Sequence, residues 1–222
     1  MILYGWLLNA DAQSQAGLEQ YYYMNSKTIS FAPLAWYKTG SNWYAEGRYN
    51  YESEKSLSLY AGRTFEKQSA FSYTISPMAG AVVGNYTGGS FALNADIDYK
   101  KIFLSLQSQY TFSIRSKSEN FIFNNCDIGY QFLPGLSAGL SLQQTNLCGA
   151  KSDKGVFIKI KLGAWELPFY IFNTGKAESY SVFGLNFMWQ HKKKTPAHNP
   201  QNTKQQSDLY QFGNSELLTT TK

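Results

Sequence analysis

The sequence predicts an all-β protein whose strands close into an antiparallel, up-and-down transmembrane barrel. Three observations predict this class: apolar and polar residues alternate along most of the chain, turn residues separate the alternating runs, and no run stays apolar for the ~18 residues of a membrane-spanning helix. From 91 to 99 the apolar residues hold the odd positions, and from 102 to 114 they hold mainly the even ones. This reversal is expected of an antiparallel hairpin with a tight turn.

The alternating runs define about ten strands, each near the ~11 residues with which a tilted strand crosses a bilayer. They cover residues 28–38, 42–53, 56–66, 70–83, 89–100, 102–115, 119–132, 136–147, 155–172 and 178–190. Twelve strands are the alternative, because the alternation slips at Gly163-Ala164 and because Tyr21 to Met24 could form a strand of its own. Even numbers are typical of such barrels, and ten is the number we expect.

Three prolines fall inside the predicted strands, at Pro33, Pro77 and Pro168. Each removes a backbone donor from the ladder. A closed barrel has no free edge at which to place them, so we expect bulges or breaks there.

The composition favours a surface that meets lipid on one side and water on the other. Aromatic residues make up 17% of the 222 residues, whereas charged residues make up only 16%, against roughly 25% in an ordinary soluble domain. Because lipid cannot satisfy an open sheet edge, strands that cross a membrane must form a closed barrel. The net charge of +5 is concentrated at the C-terminus and says little about the body.

Both ends of the chain differ from the barrel, which is predicted to span residues 13–190. Residues 1–12 are predicted to be the remnant of a truncated signal peptide, since an apolar run leads to Ala10 and Ala12 in an A-x-A-like cleavage site. After residue 190 a lysine run leads into a Pro-, Asn-, Gln- and Thr-rich stretch, so 191–222 are predicted to be a basic, polar, disordered tail. A solvated tail is the favoured interpretation, and no nucleic-acid partner is expected.

The polar faces of the predicted strands carry both signs of charge at regular spacing. Inside a narrow barrel such side chains can pair across strands and fill the lumen. The lumen-lining candidates are Glu46, Arg48, Asn50, Asp96, Asp98, Lys100, Lys159 and Lys161.

Tyr and Trp fall mainly near the ends of the predicted strands, as expected where amphipathic rings line two membrane interfaces. The interface candidates are Trp36, Trp43, Tyr49, Tyr51, Tyr99, Tyr130 and Trp189. The alternative is a soluble barrel with these rings in its interior, but strands of this number and length would bring too many large rings into one cavity. The predicted partner of the outer face is therefore the lipid bilayer.

Three features of the chain resemble the small outer-membrane β-barrel proteins of Gram-negative bacteria. They are the Ala-Asp-Ala-Gln junction at 10–13, the series of alternating hairpins, and a last strand with alternating hydrophobic residues that ends at Trp189. The resemblance covers residues 13–190 and implies a location in the outer membrane, with the last strand read by the barrel-assembly machinery. In this class the aromatic is often the final residue, whereas 33 residues follow it here, and no subfamily is indicated.

Residues suited to catalysis are scarce. Both histidines, His191 and His198, lie in the predicted tail, so the barrel offers no histidine base and no metal site built on His and Cys. Paired carboxylates such as Asp96 and Asp98, ~7 Å apart on one strand face, could serve a glycosidase or bind calcium. Lumen ion pairs are the favoured interpretation, so we expect no enzyme, no cofactor and no metal.

The two cysteines, Cys126 and Cys148, are predicted to remain unbridged. Pairing about Pro134-Gly135 places Cys126 opposite Gln143, and Cys148 lies about five residues further on. That separation is roughly 17 Å by strand rise, beyond the reach of a disulfide.

These features predict an outer-membrane barrel with a structural, adhesion or narrow solute-transport role, its lumen largely filled by paired charged side chains. The alternative is a soluble or periplasmic barrel that binds a small apolar ligand among aromatic rings. A third possibility, an outer-membrane enzyme, would need a mechanism built on carboxylates alone.

Overall fold

One continuous ladder of antiparallel strands runs around the molecule and returns to its start. The structure is a computed structural model that describes residues 13–25, 28–145 and 151–190. The strands are β1 (Gln15–Met24), β2 (Ile29–Lys38), β3 (Trp43–Tyr49), β4 (Ser56–Arg63), β5 (Phe65–Lys67), β6 (Phe71–Gly84), β7 (Gly88–Tyr99), β8 (Ile102–Ser113), β9 (Phe121–Leu133), β10 (Leu136–Thr145), β11 (Lys151–Leu162), β12 (Trp165–Phe172) and β13 (Tyr180–Gln190). A single 3-10 turn, Lys117–Glu119, precedes β9.

The barrel closes where β1 pairs with β13, from Gln15 opposite Gln190 to Met24 opposite Ser181. Strands β4 and β5 both pair with β6, one after the other, so they share one place in the wall. The result is a closed barrel of twelve strands plus one short extra strand. The predicted fold class is confirmed, whereas the preferred number of ten strands is too low. Both additional strands of the twelve-strand alternative exist. Residues 21–24 belong to β1, and a turn at 163–164 separates β11 from β12.

The three strand prolines lie where the ladder ends or is interrupted. Pairing between β2 and β3 begins only at Leu34, directly after Pro33. Pro77 lies between the segments of β6 that pair with β4 and with β5. Pairing of β12 with β13 skips Pro168, which the missing backbone donor explains. The expected break is therefore found on one side of each proline, whereas the ladder on the other side continues through it.

The two ends of the barrel have connections of different length. At the end that holds Gln15 and Gln190, which we call the terminal rim, residues 100–101, 134–135 and 163–164 form two-residue turns. At the opposite end, which we call the loop end, the described connections include residues 50–55, 114–120 and 173–179. Short turns on one side and longer loops on the other are typical of transmembrane barrels.

Burial is inverted relative to a water-soluble protein. On the outer face, large apolar side chains on well-separated strands are exposed, for example Leu59 at 59%, Phe91 at 61% and Leu140 at 61%. On the inner face, Arg48 and Glu52 are 0% exposed. An apolar exterior around a polar interior is stable in a bilayer and costly in water. Within the described ranges, no helix is long and apolar enough to cross a membrane.

The β9–β10 hairpin corrects the predicted register by one residue. Cys126 lies opposite Leu142, and Gln143 lies opposite Asn125. The cause is a bulge near the turn, because Leu136 pairs with Leu133 but Ser137 pairs with Gln131. Cys148, the predicted signal remnant at 1–12 and the predicted tail at 191–222 lie outside the described residues.

Candidate channel lumen

Strand alternation decides which side chains enter the lumen. Along β3 the even positions Tyr44, Glu46 and Arg48 point inward, whereas Trp43 and Ala45 face out. The same parity rule on the other strands brings acidic, basic, amide and tyrosine side chains together from strands that are distant in sequence. Among the described residues, these inward side chains include two hydrogen-bonded clusters, which lie in the wall around a series of cavities.

The first group, which we call the arginine cluster, consists of Glu46, Arg48, Glu52, Tyr60 and Gln109. The Arg48 guanidinium donates through Nε to Glu46 and through Nη1 to Gln109 Oε1 at 2.7 Å. Glu52 accepts from Gln109 Nε2 and from the hydroxyl of Ser58.

Aromatic rings complete the surroundings of this guanidinium. Its Cζ lies 4.8 Å from the ring centre of Tyr60 and 5.4 Å from that of Tyr51, within the range of cation–π attraction. Arg48, Glu46 and Glu52 are all buried. The arginine cluster therefore holds two carboxylates around one cation, away from water.

The second group, which we call the aspartate cluster, consists of Asp127, Ser141, Lys159 and Tyr170. Asp127 Oδ1 accepts from the Ser141 hydroxyl at 2.6 Å. Its Oδ2 accepts from Lys159 Nζ at 3.0 Å and from the Tyr170 hydroxyl at 2.9 Å. The ammonium also lies 4.8 Å from the ring centre of Phe157. The aspartate cluster thus joins strands β9, β10, β11 and β12.

Between these walls, the half of the lumen near the terminal rim contains a cavity of about 470 Å³, which we call the vestibule. Six carboxylates and two lysines line it. They are Glu19, Glu46, Glu66, Asp96, Asp127, Glu166, Lys38 and Lys159. A further cavity of about 520 Å³ reaches the terminal rim and shares Glu19, Asp96 and Glu166 with the vestibule, so water can enter from that end.

Towards the loop end, the space between the walls is a much smaller cavity, of about 60 Å³. We call this narrow segment the passage. Its polar lining is Tyr21, Tyr23, Tyr51, Gln107, Asn125, Gln143 and Tyr170. Hydroxyl groups, amides and rings line it, and no charged side chain is among its lining residues in the described part of the chain.

Of the eight lumen-lining candidates, six lie on inward-facing strand positions: Glu46, Arg48, Asp96, Asp98, Lys159 and Lys161. The other two lie outside the strands. Asn50 follows the end of β3, and its Oδ1 accepts from the backbone N–H of Lys55 at 2.8 Å, so it orders a loop. Lys100 lies in the turn after β7, where it lines the cavity at the terminal rim, with its Nζ 5.2 Å from the ring centre of Tyr99.

Two of the interface aromatics also point into the lumen, contrary to prediction. The Trp36 indole donates to Glu19 Oε1 at 3.0 Å, and Tyr51 packs beside Arg48. Their amphipathic rings meet polar partners inside the barrel instead of lipid head groups. The outward positions hold Trp43, Tyr49, Tyr99, Tyr130 and Trp189.

Several lumen residues had no place among the sequence candidates. Glu19 lies on β1, for which the sequence predicts only the alternative strand from 21 to 24, because Tyr21, Tyr22 and Tyr23 conceal the alternation. Asp127 and Glu166 lie on strands whose polar faces carry few other charges. They could be predicted from the neighbouring strands, because the register of a charged strand shows which positions of the next strand face inward. Within the described ranges, no three His, Cys, Asp or Glu side chains gather as a metal site.

No protein-family model matches the chain, and no curated protein matches it significantly. Solved porin structures do match. "KdgM porin in complex with disordered oligogalacturonate" is similar at a TM-score of 0.57 and 12% identity, over 79% of this chain and 99% of that one. KdgM porin alone gives 0.56 at 12% identity with the same coverage. NanC porin gives 0.50 at 8% identity, over 80% of this chain and 100% of that one. At such low identity the likeness shows the fold and no subfamily, and the chain has the barrel fold of outer-membrane porins.

Proposed function

We propose that the protein is a narrow channel for small hydrophilic solutes in the outer membrane of a Gram-negative bacterium. The observation that carries this proposal is a water-accessible vestibule inside a closed barrel whose outer surface is apolar. The fold shared with outer-membrane porins supports it. By the usual asymmetry of such barrels, the terminal rim would face the periplasm and the loop end the exterior.

The passage sets the size of the solute in this proposal. Its volume of about 60 Å³ leaves room for only a few water molecules. Tyr23, on β1, and Tyr51, in the loop after β3, both line this space. Small movements of such rings would control the flow of solute through the barrel.

The vestibule is not suited to the oligogalacturonate that is bound in the KdgM complex. Oligogalacturonate is an acidic sugar polymer, and the vestibule here is lined by six carboxylates. Bringing a polyanion among them would add like-charge repulsion. A channel for other small solutes is therefore the better proposal.

The alternative of a soluble barrel with an apolar ligand is less well supported. Its ligand would need an apolar interior, whereas the interior here contains the arginine and aspartate clusters. An adhesion role would depend on the loops, and the loops that the structure describes contain no feature that favours it. We also propose that β13, with Phe183, Leu185 and Phe187 on its outward face, is read by the barrel-assembly machinery.

Planar-bilayer recordings test the channel. The full-length protein should show a heat-modifiable band on an SDS gel and discrete conductance steps. Replacing a ring of the passage, Tyr23→Ala, should raise the single-channel conductance by about 1.5-fold or more, because a wider aqueous path conducts better. Tyr22→Ala is the matched control, since this neighbouring tyrosine faces outward and is 39% exposed.

The outcomes separate clearly. A folded barrel without conductance would overturn the channel and favour a structural role. Equal conductance changes in Tyr22→Ala and Tyr23→Ala would show that the passage does not limit the flow.

A further inference from the structure

The vestibule has an excess of negative charge that its own cations do not neutralise. Lys38 Nζ is paired with Glu66 at 2.6 Å, and Lys159 Nζ is paired with Asp127 at 3.0 Å. Both lysines of the vestibule are thus already occupied. Among the described residues, no cation lies within ion-pair distance of Glu19, Asp96 or Glu166, which come from three different strands.

Two side-chain oxygens without hydrogen-bond donors add to the negative character of the vestibule. The side-chain oxygens Oδ1 of Asn94 and Asn186 are buried, and within the described part of the chain no donor reaches them. Both residues line the vestibule. Their amide nitrogens are already used, by Glu46 Oε2 at 3.0 Å and by the Tyr21 hydroxyl at 3.2 Å. Two buried acceptor oxygens without donors therefore lie in the wall of a cavity that already has an excess of carboxylates.

We infer that the vestibule makes this channel selective for small cations over anions. The inference rests on the proposed channel and names the class of solute that it favours. Charges of one sign in a cavity with low-dielectric walls focus the field and raise the local concentration of counter-ions by 10-fold or more. The three carboxylates without a cation and the two amide oxygens supply that field, and a hydrated cation or a protonated amine would be attracted by it.

The rest of the lumen offsets this field only in part. The described residues that line the passage contribute no fixed charge. The cation of the arginine cluster, Arg48, is 0% exposed and paired with Glu46, so it offers no site to a passing anion. Lys100, Lys101 and Lys161 line the cavity at the terminal rim, with Asp98 as the one carboxylate that this cavity adds, so the rim reduces the negative field of the vestibule. The excess of negative charge is therefore greatest in the vestibule itself.

The field acts on passing ions and does not require a tightly bound metal. In the described ranges, no group of three ligating side chains gathers closely enough to hold one. Weak attraction at several points is what conduction needs, because an ion must also leave.

Reversal potentials across a planar bilayer test the inference with the full-length protein in a KCl gradient. We expect the wild type to pass K⁺ over Cl⁻ by about 10-fold at 0.1 M salt and by less at 1 M, where the Debye length falls to ~3 Å. The triple variant Glu19→Gln, Asp96→Asn, Glu166→Gln should approach a ratio of about 1, while its conductance persists. Glu54→Gln, in an exposed loop at the loop end, is the control and should keep the wild-type ratio.

Each result either supports or overturns the cation selectivity. A wild-type channel that prefers Cl⁻, or that does not discriminate, would overturn the inference and leave the proposed channel intact. A folded wild type without conductance would overturn both. Equal loss of selectivity in Glu54→Gln would move the selective element to the loops. If the triple variant shows no heat-modifiable band, Asp96→Asn alone serves instead, with a partial fall in the ratio expected and an unchanged ratio counting against the inference.

Discussion

The arginine cluster and the vestibule are built from the same kinds of side chains, yet they differ in their access to water. In the arginine cluster, Glu46 and Glu52 are almost wholly buried and each accepts several hydrogen bonds. In the vestibule, Asp96 is exposed to the lumen and its one described hydrogen bond comes from Ser105. A carboxylate can therefore hold the wall together or act on solutes, according to its partners.

This difference has an energetic basis. A buried charge is tolerated only when partners replace its water, so removing one partner costs far more than the pair contributes. A carboxylate that remains hydrated loses little when it is neutralised. We therefore expect changes in the arginine cluster to affect stability, and changes in the vestibule to affect selectivity.

Arg48→Met should have the largest effect on stability. It removes the cation from a cluster that contains two buried carboxylates, and we expect the free energy of unfolding to fall by about 3–5 kcal/mol. Urea unfolding in detergent micelles, followed by heat modifiability, measures the change. Arg63→Met is the matched control, because this arginine lies on the neighbouring strand but is exposed and outward-facing, and should change stability by about 0.5 kcal/mol or less. Equal effects in the two variants would contradict the role of the arginine cluster.

Much of the fold could be predicted from the sequence, because half-buried strands alternate with a period of two. The regular strands β7 and β8 agree with their predicted ranges to within about two residues. The first strand is harder to predict, since Tyr21, Tyr22 and Tyr23 place the same residue type on both faces. The bulge in the β9–β10 hairpin could not be foreseen, because it depends on how the turn at Gly135 is built.

The lumen was less predictable, since its contacts join strands far apart in the chain. Alternation assigns Glu46 and Arg48 to one face, but Gln109, 61 residues from Arg48, is identified as a partner only by the closed barrel. Trp36 was misplaced for the same reason: its acceptor, Glu19, lies 17 residues away on another strand. Residue type alone does not show which polar groups a ring will meet.

Asp127→Asn tests a site between the two extremes, because Asp127 is 2% exposed and also lines the vestibule. The amide removes the charge that pairs with Lys159, and it replaces one acceptor oxygen by a donor group. We expect a loss of about 1–3 kcal/mol in the same unfolding assay. Asp98→Asn, at the exposed end of β7, is the control with a near-zero effect. An unchanged stability in Asp127→Asn would show that the aspartate cluster does not hold its four strands together.

Asp96→Asn should have the smallest effect on stability and so gives the sharpest test of the comparison. Its carboxylate is open to the lumen, and an amide of nearly the same size can still accept the Ser105 hydrogen bond. We expect the free energy of unfolding to change by about 0.5 kcal/mol or less, because hydration and the remaining acceptor oxygen compensate for the lost charge. A loss as large as that of Asp127→Asn would mean that water does not support Asp96, and that the vestibule is a structural cluster like the one around Arg48.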